Sequence, residues 1–371
     1  MEEAIKKLFE GLEIENKEQI FTEDVMKQLA LKEGNIVIVG QFDKSFENKD
    51  YEVYFNTETG VEVLKGKDGN DPFKTELPLL FDVGIMGSCH NKCYFCYQGR
   101  KTEPHMTLEN FKLLIDQVKH HTNQVALGGR GDPNLHPQFK EIVEYARDNG
   151  VVPNYTTSGN GLTDEHIEIS KMCGAVAVSE YLQEFTYDAI NRLMDAGIKT
   201  NIHMIFSRPN YHTAMKILYG YNPWKVHKGS KVDLSKLNAV IFLLFKPQGE
   251  GRNKADLIPT PMHIQSFSKK VFNPDCKFKI GMDSCLINHV MNYSNPNKIQ
   301  KMAVDTCEAS RMSVYVSPSM QLIPCSFADH PEWGIQINGK NDIHYLWNRS
   351  MKFISFRSRL KKNPSCCPVG F

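Results

Sequence analysis

Gly84-Ile-Met-Gly-Ser-Cys-His-Asn-Lys-Cys-Tyr-Phe-Cys-Tyr-Gln-Gly99 places Cys89, Cys93 and Cys96 on one short loop, with three and then two residues between them. The apolar run before it, Leu79 to Met86, reads as a strand, so the thiols stand where a strand gives way to a loop. Thiolates this crowded are soft-metal ligands, and iron–sulfur clusters are held by Cys thiolates. Three local thiolates leave one iron of a four-iron cluster open to a small chelating ligand. A zinc site would need a fourth ligand, His90 or a distant Cys. A disulfide conflicts with a chain that carries no mark of secretion. Chance clustering among 10 cysteines in 371 residues conflicts with the interleaved aromatics Tyr94, Phe95 and Tyr97.

From Leu79 to Phe272, strand-like runs at 79–86, 124–129, 151–158, 175–181, 200–207 and 238–247 alternate with helical patterns at 107–121, 136–150, 163–174 and 185–197. Several of these helices open on Thr or Asp and close on Gly. Such alternation yields a parallel sheet with right-handed crossovers, because parallel neighbours need a long return path. The expected class is α/β: a partial (β/α)6 TIM-like barrel over 79–272, a small N-terminal α+β region over 1–78, and a Cys-rich C-terminal extension over 273–371. Barrels of this kind do their chemistry at the carboxyl ends of the strands, which is where the Cys loop falls.

With Phe95 just before the last Cys, the CxxxCxxC spacing resembles the signature of radical S-adenosylmethionine (SAM) enzymes. The resemblance implies a 4Fe–4S cluster on Cys89, Cys93 and Cys96 with SAM at its open iron, reductive cleavage of SAM to a 5′-deoxyadenosyl radical, and hydrogen abstraction from a substrate. A second anchor is Gly128-Gly129-Arg130-Gly131-Asp132-Pro133, where the family carries a Gly-Gly-Glu or Gly-Glu-Pro pattern. The glycines let backbone approach a ligand closely, and a plain Gly-rich turn is the alternative. The third strand ends in Tyr155-Thr-Thr-Ser158-Gly-Asn160-Gly161, where similar enzymes often have Thr-Asn-Gly; these groups suit a ribose as well as an ordinary turn. Ser179, at the end of the fourth strand, resembles a polar residue that contacts SAM, and Glu180 beside it reads as a ligand or substrate contact. The implied SAM-binding set is therefore Phe95, Gly128, Gly129, Asp132, Ser158, Asn160 and Ser179. His203 reads as a satisfied core histidine. The Pro247-x-Gly249-x-Gly251-Arg252 turn is similar to one that closes the barrel in radical SAM peptide-modifying enzymes, with Arg252 paired to a carboxylate or solvated.

The last third holds Cys276, Cys285, Cys307, Cys325, Cys366 and Cys367. Cys307 and Cys325 bracket an alternating stretch with Ser317-Pro-Ser319 at its turn, a hairpin pattern. This resembles the opening of a SPASM/Twitch extension, with Met320 where that pattern has Gly. The resemblance implies one auxiliary 4Fe–4S cluster on Cys285, Cys307, Cys325 and Cys366, with Cys367 or Cys276 as alternatives for the fourth ligand. A zinc knot uses the same thiolates. Cys173 reads as a buried thiol, and residues 341–362 as one basic amphipathic helix.

Net charge is +1, from 44 basic and 43 acidic residues, so no bulk field draws the chain to nucleic acid or an anionic membrane. No run approaches the roughly 18 apolar residues of a membrane span, and a cytoplasmic location is expected. The leading region is expected to hold helices over Met1–Leu12 and Thr22–Leu31, a strand over 35–40 and a hairpin over 51–66 turning through Asn56–Gly60. This cap either grips substrate or only covers a barrel end. SPASM/Twitch extensions accompany peptide modification, so the resemblance implies a ribosomally made peptide substrate, with a small molecule or tRNA as alternative, and a flavodoxin- or ferredoxin-type electron donor. The competing class is a non-catalytic zinc-binding scaffold.

Overall fold

A computed structural model describes residues 42–371 except 181–182, 225–231, 298–299, 302–303, 305, 340–341, 365–366 and 371, together with the backbone of 29–32 and 35–38. Strands β1 (Leu29–Lys32) and β2 (Asn35–Ile38) pair antiparallel. Residues 29–31 are thus strand, where helical spacing predicted the end of a helix. The β-branched run Ile36-Val37-Ile38, against which these residues pair, explains the difference. Met1–Leu12 and the start of the Thr22–Leu31 helix lie outside the described residues. Strands β3 (Lys44–Glu47), β4 (Tyr51–Phe55) and β5 (Glu62–Gly66) form a small antiparallel sheet. Its second turn is built as expected, with the Asn56 side chain accepting from Thr59 N at 2.7 Å and Gly60 at φ 75°.

The main sheet contains β6 (Leu80–Met86), β7 (Gln124–Gly129), β8 (Val152–Thr157), β9 (Val176–Ser179), β10 (Thr200–Phe206) and β11 (Ala239–Leu244), parallel and in sequential order. The rhythm continues past Phe272, since β12 (Lys279–Met282) pairs parallel with β11. At the opposite edge β13 (Ser313–Val316) pairs parallel with β6, and β14 (Gln321–Ile323) and β15 (Ile335–Gln336) follow antiparallel. The sheet is open, a partial barrel whose first strand is hydrogen-bonded to the C-terminal third.

The crossover helices are α1 (Leu108–Val118), α2 (Phe139–Asp148), α3 (Asp164–Ser170), α4 (Glu184–Asp195) and α5 (Tyr211–Leu218). Local chemistry sets them: in α1 Thr107 caps by accepting from Asn110 N, and Phe111, Leu114, Ile115 and Val118 recur on one face and are buried. Helix α6 (Pro261–Val271) opens on a Thr260–His263 capping box, and α7 (Ser284–Val290) is capped by Asp283. The expected single helix over 341–362 is two, α8 (Asp342–Arg349) and α9 (Met351–Lys362). Ser350 breaks it, leaving helical geometry at ψ 131° so that its hydroxyl can accept from Lys352 N.

The small sheet docks under the barrel's amino-terminal face. The Lys44 ammonium donates to the carbonyls of Lys119 at 3.0 Å, Gly150 at 3.1 Å and Thr122, while Lys199 reaches Glu58 O at 2.6 Å. All of these barrel groups stand at helix ends or before strands, opposite the Cys loop. The β3–β5 sheet therefore covers a barrel end on the side away from that loop.

Candidate cofactor site at the strand ends

The Cys loop is tied at its base. Gly87 N–H donates to His105 Nδ1 at 3.0 Å, and Glu103 N donates back to Gly87 O at 2.9 Å. Within the loop Cys96 N donates to Cys93 O at 3.2 Å and Asn91 N to Cys89 Sγ at 3.3 Å. Cys89 is exposed, and Cys93 and Cys96 are half-buried. Two backbone turns press against the loop. Gly131 passes so near that a Cβ there would lie 2.2 Å from Ser88 O, and Gly129 adopts φ 112° against the Met86 carbonyl. On the other side Gly249, at φ 54°, abuts the Cys96 and Tyr97 carbonyls, and Glu250 N donates to Cys96 O at 2.9 Å.

Beneath the thiols, Asn91 joins three strand ends. Its amide nitrogen donates to Ser158 Oγ at 2.9 Å and reaches Asp132 Oδ2 at 3.4 Å, while its oxygen accepts from Asn160 Nδ2 at 3.1 Å. Asp132 Oδ1 accepts from Ser158 N at 2.9 Å, and the Ser158 hydroxyl donates to Asp132 Oδ2. Desolvation holds the Asp132 carboxyl above the ordinary carboxylate range, although the bonds from Ser158 and Asn91 pull the other way. The structure thus brings Asp132, Ser158 and Asn160 into one cluster through Asn91, a residue that sequence reasoning missed.

The other candidates take different places. Phe95 stands edge-on to Tyr94 at 5.1 Å and lines a cleft with Glu180, Ser207, Asn210 and Phe245. Glu180 is buried there and accepts from Tyr187 OH at 3.1 Å. Ser179 ends β9 in register with His203 and stands outside the Asn91 cluster. Gly128 lies near Asp82. Desolvation pulls the half-buried His203 imidazole down to about 4, with the Asp283 carboxylate acting the other way. Arg252 is exposed, and the ion pair at its turn is Arg100–Glu250 at 3.1 Å. Arg130 points away from the glycines into a buried three-way contact, taken up below.

In the C-terminal third Cys285 opens α7, Cys307 and Cys325 flank the β13–β14 hairpin, and Cys367 follows α9. Desolvation pushes Cys285 up to about 12 and Cys307 to about 11, and Cys325 higher still. Cys307, Cys367 and Cys285 each add to the rise at Cys325, so the four thiols are electrostatic neighbours. Cys366 lies outside the described residues. Cys276 is buried, its Sγ 3.6 Å from Phe278 O. Among the described residues no three ligating side chains stand at metal-binding separation. The thiol sets are neighbouring groups, not a preformed cage.

Residues 83–201 match the family model described as the radical SAM superfamily. This stretch, about a third of the chain, is similar to radical SAM enzymes. The AdoMet-dependent heme synthase of Nitratidesulfovibrio vulgaris is 25% identical over 149 residues, 35% of this chain and 41% of that protein, so the match spans about two fifths of the relative. Among solved structures, Streptococcus suis SuiB bound to S-adenosylmethionine superposes with a TM-score of 0.62 at 13% identity, covering 79% of this chain and 71% of that one. The structure of anSMEcpe with bound AdoMet and Kp18Cys peptide gives 0.56 at 14% identity, over 76% and 84%. At these identities the likeness is one of fold.

The residues at the strand ends suit the cofactors that this similarity implies. Three thiols share a loop above an amide–carboxylate–hydroxyl cluster, and Asn134, two residues past Asp132, is buried with no protein partner for its side-chain amide, a vacancy a polar ligand or water satisfies. Beyond desolvation, Cys307, Cys367 and Cys285 push the Cys325 thiol up, and thiolates that disfavour one another are stabilised beside a cation. No helix among the described residues is long and apolar enough to cross a membrane.

Asp82, on β6 at the base of the Cys loop, supplies a pH prediction. Desolvation raises its carboxyl from 3.8 to about 6, against a hydrogen bond from Ser326. A raised folded-state value means that the neutral form is preferred: this stabilisation is complete below about 3.8 and is lost as pH rises through about 6. Asp82→Asn should therefore gain stability over the wild type at pH 8 relative to pH 4. Allowing for the partial exposure of Asp82, the gain is about 1–2 kcal/mol. Chemical denaturation at the two pH values checks this, and parallel pH profiles for the two proteins would refute it.

Proposed function

We propose that this chain cleaves S-adenosylmethionine reductively at the Cys89–Cys96 loop and uses the radical on a peptide. The observation that carries this reading is the Asn91–Asp132–Ser158–Asn160 cluster under a three-thiol loop at the strand ends. Cys89, Cys93 and Cys96 would hold the 4Fe–4S cluster, which with SAM supplies a carbon radical able to take hydrogen from an unactivated C–H bond. Gly128 leaves backbone open to the ligand, Gly129 and Gly131 seat the β7 turn against the Cys loop, and the cluster of polar side chains offers both donors and acceptors to its amino acid and ribose parts. Phe95 and Phe245 line one part of the adjoining cleft, while Glu180, Ser207 and Asn210 set polar groups in its wall. Ser179 is assigned to the same ligand. An auxiliary 4Fe–4S cluster is assigned to Cys285, Cys307 and Cys325, with Cys366 or Cys367 as the fourth thiolate, and a flavodoxin- or ferredoxin-type protein to electron delivery. The reducing conditions that such centres need favour the cytoplasm.

The peptide reading is supported by neighbours of the same fold, SuiB having been solved with precursor peptide SuiA and anSMEcpe with Kp18Cys peptide. A small-molecule substrate is a second reading, favoured by the match to an AdoMet-dependent heme synthase. Anaerobic reconstitution should give a brown, iron-loaded protein that releases 5′-deoxyadenosine when reduced in the presence of SAM. A colourless zinc protein would refute the whole proposal. Mass spectrometry of a candidate peptide co-expressed with this chain separates the substrates: a peptide left without mass change or isomerisation, while deoxyadenosine release responds to a small molecule, sinks the peptide reading alone.

A further inference from the structure

Four residues beyond Cys325, Asp329 crosses to the Cys loop through Arg130. The Arg130 side chain is only 6% exposed and divides its guanidinium three ways: Nε to Glu103 Oε1 at 3.1 Å, Nη1 to Gln98 O at 2.8 Å, and Nη2 to Asp329 Oδ2 at 2.9 Å. Two of these acceptors belong to the carboxyl half of the Cys loop and the third to the C-terminal third. Next to this fork, Phe327 meets the ring of Tyr97 edge-on at 4.6 Å, Tyr97 being the residue after Cys96. The other face of this joint is closed by Lys246, whose ammonium lies 4.4 Å from the Phe327 ring centre and pairs with Asp283, the cap of the helix that carries Cys285.

We propose that Arg130 is a positioning residue through which the segment after Cys325 holds the Cys89–Cys96 loop, making the order of one thiol group depend on the other. A planar guanidinium with three fixed acceptors cannot follow one partner without disturbing the rest, so loosening Asp329 is felt at Gln98 and Glu103. A buried arginine that loses one acceptor also keeps its desolvation cost, which gives the contact leverage beyond its own strength. The functional meaning of this coupling rests on the SAM reading of the loop, but the coupling itself does not.

Hydrogen exchange of the full-length, metal-free protein, read by mass spectrometry on peptides covering residues 87–103, tests it. Asp329→Ala should speed exchange there roughly tenfold, the scale of a charge-assisted hydrogen bond. Asp329→Asn, which keeps an acceptor and loses the charge, should fall between Asp329→Ala and the wild type. Lys44→Met, which unclamps the small sheet at the opposite barrel face, serves as control and should leave 87–103 unchanged. Unaltered exchange in Asp329→Ala, or equal acceleration in Lys44→Met, overturns the proposal, the latter because it would mark a global loss of stability. A protein inert toward SAM in which Asp329→Ala still loosens the loop would sink the SAM reading and keep this one.

Discussion

Cys93→Ala should abolish 5′-deoxyadenosine release, to the background of SAM and reductant without protein, and should remove the iron held by the Cys89–Cys96 loop. Two thiolates cannot retain a four-iron cluster that needs three to leave one iron open, and the nearby carboxylate of Asp132 is already engaged by Ser158 and Asn91. The substitution is small and lies on a surface loop of half-buried residues, so the fold should survive with its melting temperature nearly unchanged. The C-terminal thiols are a separate set, and their iron should remain. Iron analysis and electron paramagnetic resonance of reconstituted protein, with a deoxyadenosine assay beside them, check each part. Cleavage persisting above background in Cys93→Ala would refute the assignment of that thiol.

Gly131→Ala should damage the same site without touching a thiol. The added methyl would sit 2.2 Å from Ser88 O and 3.3 Å from the Cys89 Cα, both backbone atoms on which no flexible side chain can yield. Either the Cys loop lifts or the turn after β7 shifts, and either movement separates Asn91 from Asp132. Overpacking of this kind costs about 1–3 kcal/mol. The expected outcome is a fall in melting temperature together with weakened SAM binding by equilibrium dialysis, in a protein whose cysteines are all intact. By contrast Gly150→Ala, at a turn where a Cβ meets nothing within 4 Å, should cost stability through its φ of 70° alone and leave SAM binding as it was. Equal SAM affinity in Gly131→Ala and wild type would show that the close approach has no bearing on the ligand.

The barrel was legible because its signals are local. Each crossover helix carries its own apolar face and end residues, so the run at 151–158 appears as Val152–Thr157 and that at 175–181 as Val176–Ser179, differing only where ends fray. What escaped was non-local or unpatterned. Lys279-Ile-Gly-Met is too short to alternate, and its strand character comes from the edge of β11 beside it. Nothing in Ser313-Val-Tyr-Val announces that it will pair with a strand more than two hundred residues earlier. Asn91 has no periodicity to betray it; the one available clue was an amide placed between two ligand-type cysteines. Arg130 did leave a trace, as a long cation where the family pattern has a carboxylate. Its partner Asp329 could be found only in three dimensions.

The pairing of β13 with β6 has a consequence for how this chain reaches its native state. The outer rim of β6 presents a row of unsatisfied amide and carbonyl groups until Ser313–Val316 arrives, so a ribosome-bound chain that stops short of the hairpin displays an open template for self-association. Closure over so long a stretch is slow, so truncation before residue 313 should leave that edge open to aggregation.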